Sequence, residues 1–196
     1  MLRVAEILRK TNETDIKAAI CLDGKGDNHI STGNGFFDHM LNLFASHGRF
    51  DLTVDCCGDL EVDFHHSAED IGICLGKIFR EALGEMRGIK RYGNIILPMD
   101  EALIMCAADI SGRSHLSFNA SIPTERVGDF ECQLVEEFLI AFVRNAGITL
   151  HITQMAGTNS HHIIEGMFKA LGRTLRQCVA LDPDLANEIP STKGLL

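Results

Sequence analysis

HHSAEDIGICLGKIFR (65–80) and HHIIEGMFKALGRTLR (161–176) are two versions of one segment. Aligned without gaps, they share both histidines, Glu69 with Glu165, Leu75 with Leu171, Gly76 with Gly172, a basic residue at Lys77/Arg173, and Arg80 with Arg176. The match continues upstream. The runs DLTVD (51–55) and TLHIT (149–153) set Leu52/Val54 opposite Leu150/Ile152, the period-two pattern of a half-buried strand. Before them, FFDHMLNLFASHG puts Phe37, Met40, Leu41 and Phe44 on one helical stripe that stops at Gly48. QLVEEFLIAFVRNAG does the same with Val135, Phe138, Leu139 and Phe142, and Glu137 stands where His39 stands in the first copy. Alternating stretches after Glu13 (TDIKAAICLDG) and after Glu101 (ALIMCAADISG) open the two copies.

Each copy therefore reads strand, helix, strand, helix, with extra strands such as 114–122. This predicts an α+β fold in which duplicated strand/helix half-units, about 1–94 and 95–196, form one two-layer unit with sheets packed on helices. No stretch has linker composition, so 1–196 reads as a single domain, with only the tail after Asp182 expected to pack loosely.

Composition narrows the function. The 196 residues are 45% apolar, enough for a real core, and carry 18 Lys and Arg against 27 Asp and Glu, a formal charge of −9. That sign argues against a nucleic-acid or anionic-membrane partner. The longest apolar run, around Ala102 to Ala108, is far short of the ~20 residues of a membrane span, and the N-terminus mixes charges where a signal peptide is apolar. The reading is a soluble cytoplasmic protein. Seven scattered cysteines without a CxxC pair suit neither a disulfide framework nor a thiolate zinc site.

The paired histidines carry the chemistry. Residues four apart on a helix stack, so His65 converges with Glu69 and His161 with Glu165, while His66 and His162 point elsewhere by ~100°. Together with His39 and Glu137, these eight side chains can serve two metal ions. Imidazole and carboxylate without sulfur suit manganese or iron, with zinc possible. The plainer readings are a Ser67–Asp70 capping box at one HHxxE, and surface or capping roles for His29, His47, His115 and His151. Two copies at matched positions favour metal binding.

TNETDI with Glu13, FFDHML, DFHHSAED, GIKRYG, PMDEAL, DISGR, NSHHIIEGMFKALGR and PSTKG, in this order along the whole chain, resemble the imidazoleglycerol-phosphate dehydratase family. The resemblance implies a lyase of histidine biosynthesis that dehydrates imidazole glycerol phosphate to imidazole acetol phosphate. It also implies two manganese ions per active site and a homo-oligomer of 24 subunits with sites between them. His39, His65, His66, Glu69, His161, His162 and Glu165 fall on family ligands. Glu137 falls where many members place a histidine, and Phe64 departs from an Asp-Asp-His-His run, read as outer-shell variation. The carbon-bound proton to be moved has no carbonyl to acidify it, so the ring must be activated. Glu13 is the first candidate for the acid/base group, with Glu69 and Glu165 as rivals. Arg91, Arg113, Lys169, Ser191, Thr192 and Lys193 are placed around the substrate and its phosphate. Lys169 lies two turns beyond His161 on the same face. A di-metal phosphoester hydrolase and a non-catalytic metal-binding shell stay open as alternatives.

Overall fold

The computed structural model describes residues 2–185 and 188–196. The elements run β1 (Val4–Lys10), β2 (Thr14–Cys21), β3 (Asn28–Ser31), α1 (Gly35–Gly48), β4 (Asp51–Gly58) and α2 (His65–Leu83). The second half follows as β5 (Tyr92–Met99), β6 (Ala102–Asp109), β7 (His115–Asn119), the short hairpin β8 (Arg126–Val127) and β9 (Phe130–Glu131), α3 (Leu134–Ala146), β10 (Thr149–Ala156) and α4 (Ser160–Val179). One sheet has the order β1-β2-β4-β3 and the other β5-β6-β10-β7. In both, the first three strands are antiparallel and the fourth joins in parallel. The fold is the expected α+β class, duplicated strand for strand, with the β8–β9 hairpin inserted only in the second half. That half begins at Tyr92, so a junction at 94/95 would cut into β5.

β1, β3, β5 and the β8–β9 hairpin are strands the alternation did not announce. β1 lies at a sheet edge with no fully buried residue, and Val4 and Leu8 are 59% and 79% exposed. By contrast β2 buries Thr14, Ile16, Ala18 and Ile20 on one face, as its pattern requires.

α1 begins where Asn34 Oδ1 accepts the N–H groups of Phe36 and Phe37, both at 3.1 Å. It ends on Arg49, which takes the left-handed conformation (φ 55°) expected of Gly48. Gly48 is small for a different reason: a Cβ there would lie 2.5 Å from the Phe50 ring and 3.2 Å from the Gly172 carbonyl oxygen. α1 crosses α4 there, and a Cβ on Gly172 would lie 2.9 Å from the Gly48 amide nitrogen and 2.5 Å from the Phe44 carbonyl oxygen. The crossing recurs between α2 and α3, where a Cβ on Gly76 would lie 2.5 Å from the Phe142 carbonyl oxygen. Gly76 with Gly172 and Phe44 with Phe142 are repeat equivalents, so the two halves exchange helix partners: α1 packs on α4 and α2 on α3.

α2 also covers β1, β2 and β4, and α4 covers β5 and β6, so the halves stack helix layer to helix layer. Phe37, Phe130, Phe138 and Phe168 fill the middle, with Phe37 stacked on Phe130 at 5.4 Å and Phe138 on Phe168 at 5.6 Å. Phe64 joins them edge-on, 5.7 Å from Phe37 and 6.1 Å from Phe130. It is a core residue.

The C-terminal segment also departs from expectation. Asp182 N–H donates to Gly88 O (2.8 Å), Gly88 N–H to Glu188 O (2.9 Å), and the Arg91 guanidinium to Pro190 O (2.8 Å). Leu196 packs against the core. Backbone hydrogen bonds that sequence does not announce hold this tail to the body. No helix among the described residues is long and apolar enough to cross a membrane.

Candidate metal centre

The α1–α4 crossing brings His39 against the first turn of α4. His39 Nε2 lies 3.3 Å and His161 Nε2 3.1 Å from the same oxygen, Glu165 Oε2. One ligand atom from each of the three side chains lies within 4.8 Å of the others, the only such group among the described residues. Asn159 Oδ1 fixes the start of α4 by accepting from His161 N–H (2.9 Å) and His162 N–H (3.3 Å). The Glu165 side chain is only 9% exposed, and its other oxygen receives Lys169 Nζ at 2.5 Å. Burial pushes its pKa up, but the hydrogen bonds from Lys169, His39 and His161 prevail and hold it below the usual carboxylate range. Two imidazoles and a carboxylate fit a divalent ion such as manganese.

The equivalent trio, Glu137 on α3 with His65 and Glu69 on α2, does not close to that distance. All three are partly or fully exposed, and Ile73 occupies the Lys169 position.

His66 and His162 turn away from their trios, as the helical rotation requires. Each gives Nδ1 to a carboxylate, His66 to Asp59 at 3.0 Å and His162 to Glu101 at 2.7 Å, and both pKa values rise for that reason. His66 Nε2 lies 3.8 Å from Glu13, and His162 Nε2 lies 3.7 Å from Asp100. Glu101 also accepts from Thr158 N–H (3.1 Å) and Asn159 N–H (2.8 Å). With His162 as the main cause, its carboxyl falls to about 2. Asp59, Asp100 and Glu101 were missed as partners, although Glu101 was already visible as the repeat equivalent of Glu13.

The plainer histidine readings divide. Asp70 is no capping-box partner of Ser67: it binds Arg9 at 2.7 Å and the Thr14 hydroxyl at 2.6 Å. His29 faces Asp55 at 3.6 Å with both side chains exposed, and the His115 and His151 rings lie 5.7 Å apart on the surface. His47, in the last turn of α1, is pushed down by burial and by Arg173 and Lys169. None of the four joins the His39–His161–Glu165 trio.

Arg91, Arg113, Ser191, Thr192 and Lys193 border one cavity of about 550 Å³. Arg91 is held there by Asp109 (2.7 and 3.1 Å) and sits 4.7 Å from the Tyr92 ring centre. Lys169 is not among them; its ammonium is bound by Glu165 of the trio. Within one chain, the cavity and the trio share no residue.

Residues 32–175 match the sequence profile of the family described as Imidazoleglycerol-phosphate dehydratase. The chain is 55% identical over 195 residues to the imidazoleglycerol-phosphate dehydratase of Azorhizobium caulinodans, covering 100% of this chain and 99% of that one. It is similar to the crystal structure of the dehydratase of Staphylococcus aureus, with TM-score 0.83, 41% identity, and 91% and 99% of the two chains covered. IGPD of Pyrococcus furiosus, solved in complex with (S)-C348, gives TM-score 0.83 at 37% identity over 97% and 100%. With a family match over most of its length and a relative of this identity, the chain belongs to the imidazoleglycerol-phosphate dehydratase family.

Proposed function

We propose that this protein is a manganese-dependent, cytoplasmic hydro-lyase that converts imidazole glycerol phosphate to imidazole acetol phosphate, with two ions per active site. The observation that carries the reading is the convergence of His39, His161 and Glu165 from opposite halves of a chain of this family. His39, His161 and Glu165 would hold one ion and Glu137, His65 and Glu69 the other, with His66 and His162 completing the shells across a subunit contact. Ions held there would supply Lewis acidity to the imidazole ring nitrogens.

The chain's own groups account for the remaining tasks. The overall change removes the hydroxyl beside the ring as water, takes the proton from the next carbon, and lets the resulting enol become the ketone. Glu13, half exposed and 3.8 Å from His66 Nε2, would carry that proton at its carboxylate. Glu165 is already engaged by three donors and serves as a ligand, which leaves Glu69 as the rival. Arg91, Arg113, Ser191 and Lys193 would grip the phosphate, with Arg91 pre-oriented by Asp109.

Self-association is part of the proposal, as an oligomer of 24. It is supported by the separation of the cationic cavity from the trio, and by an outward hollow of about 670 Å³ in the first sheet bordered by Val4, Ala19 and Thr53.

The test is turnover of imidazole glycerol phosphate by protein stripped of metal and given back manganese, with free phosphate followed in the same tube. Manganese-dependent product without phosphate release is expected. Phosphate release would favour the hydrolase alternative, and metal uptake without turnover the binding shell.

A further inference from the structure

Repeat symmetry relates His39–His161–Glu165 to Glu137–His65–Glu69, yet the two sets differ in charge. In the first, Lys169 Nζ stands 2.5 Å from Glu165 Oε1, so one carboxylate faces one ammonium. In the second, two carboxylates accompany one imidazole, and Ile73 stands at the sequence position of the lysine. Arg9 lies close enough to Glu69 to feel its charge, but its guanidinium is bound by Asp70 at 2.7 and 3.2 Å. The geometry follows the charge. The neutralised trio closes to within 4.8 Å, while the trio with two like charges stays open.

A divalent ion entering the first trio at Glu165 Oε2 meets a carboxylate whose other oxygen, Oε1, already holds an ammonium, so the ion shares the ligand's charge with Lys169 and is repelled by it. One entering the second meets two uncompensated carboxylates, which attract it across both charges. We propose that Lys169 is a built-in competitor for the metal at His39–His161–Glu165, so that the Glu137–His65–Glu69 half-site fills first and the lysine-guarded one second. The proposal rests on the two-ion reading above. It makes the singly loaded chain a defined species at limiting manganese.

The experiment is titration of the metal-free, full-length protein with manganese, following the free aqueous ion by its electron paramagnetic resonance signal. Two steps of one ion per chain are expected, separated at least tenfold in Kd, about 1.4 kcal/mol. Lys169→Met keeps the aliphatic stem and removes the ammonium: the weaker step should tighten at least tenfold and the stronger should not move. Glu137→Gln removes one charge and should weaken the stronger step alone. A single class of two equivalent ions, or a Lys169→Met isotherm with an unmoved weaker step, overturns the ordering. Absence of any manganese uptake by the wild type removes the two-ion reading itself, which is a different failure. If Lys169→Met does not fold, as judged by thermal unfolding of the metal-free protein, Lys169→Gln carries the same comparison. The wild-type isotherm decides the two-step claim independently.

Discussion

Gly172→Ala asks whether the helix crossing sets the geometry of the metal trio. The new Cβ would stand 2.5 Å from the Phe44 carbonyl oxygen and 2.9 Å from the Gly48 nitrogen, backbone atoms of α1 that no rotamer change can clear. Ordinary contact begins near 3.4 Å, so α1 and α4 must part by roughly 0.9 Å. Overpacking of this kind costs ~1–3 kcal/mol, and two backbone contacts put this site at the upper end. Alanine's better helix propensity offsets about 1 kcal/mol, leaving a net loss of ~2 kcal/mol, roughly 4–8 °C in melting temperature. The same movement stretches the 3.3 Å separation of His39 and Glu165 to roughly 4 Å, outside hydrogen-bond range. Manganese affinity at that half-site should fall about tenfold. Calorimetric melting and a manganese isotherm read both effects, and Gly76→Ala, acting at the α2–α3 crossing, should strike the other half-site instead. Wild-type melting together with an unchanged isotherm would refute the claim that this contact limits the trio.

Glu13→Gln should lower turnover by about 10²-fold or more with the bound-metal count unchanged; turnover near the wild-type rate would transfer the proton step to Glu69. Asp51 Oδ1 accepts the N–H groups of Lys25, Gly26 and Asp27 at 2.7, 3.0 and 3.0 Å, which hold its carboxyl below the usual range. A carboxyl depressed on folding stabilises above its unfolded value of about 3.9 and loses that contribution as pH falls through the folded value. Asp51→Ala should therefore lose ~1 kcal/mol at pH 7, allowing for solvent screening, and less at pH 3 in urea melts, where protonation of the unfolded carboxyl has begun to remove the contribution. A gap that is equal at both pH values would contradict the assignment. Fragments 1–84 and 85–196 should each be largely unfolded alone and regain helical circular dichroism when mixed, because each lacks the partner helices of its own; a folded, monomeric fragment would speak against this.

The duplicated HHxxE, the i,i+4 stacking and the outward rotation of the second histidine were all readable from spacing, because helix geometry is local. Which helices would pair was not. His39 meets Glu165 through a crossing fixed by Gly48 and Gly172, and neither residue states its partner in one dimension. β2, β4, β6 and β10 announce themselves by alternation because one face is buried. β1, with Glu6 and Lys10 exposed and Ala5, Ile7 and Arg9 only half-buried, has no fully buried face to set the contrast. Asp59 and Glu101 escaped notice for a related reason: a carboxylate that orients a histidine looks like any surface acid until the chain folds it into contact. The tail was misread because its anchors, Gly88 and Arg91, act largely through backbone carbonyls that no side-chain pattern encodes.

The exchange of helix partners between the halves has a historical consequence. A half-length ancestor with one copy of this unit could have buried its helices only against a second chain, giving a symmetric dimer with two identical metal trios. Carrying both copies on one chain makes that interface an internal core and lets the two trios differ. Lys169 opposite Ile73 and His39 opposite Glu137 are differences that no homodimer could encode.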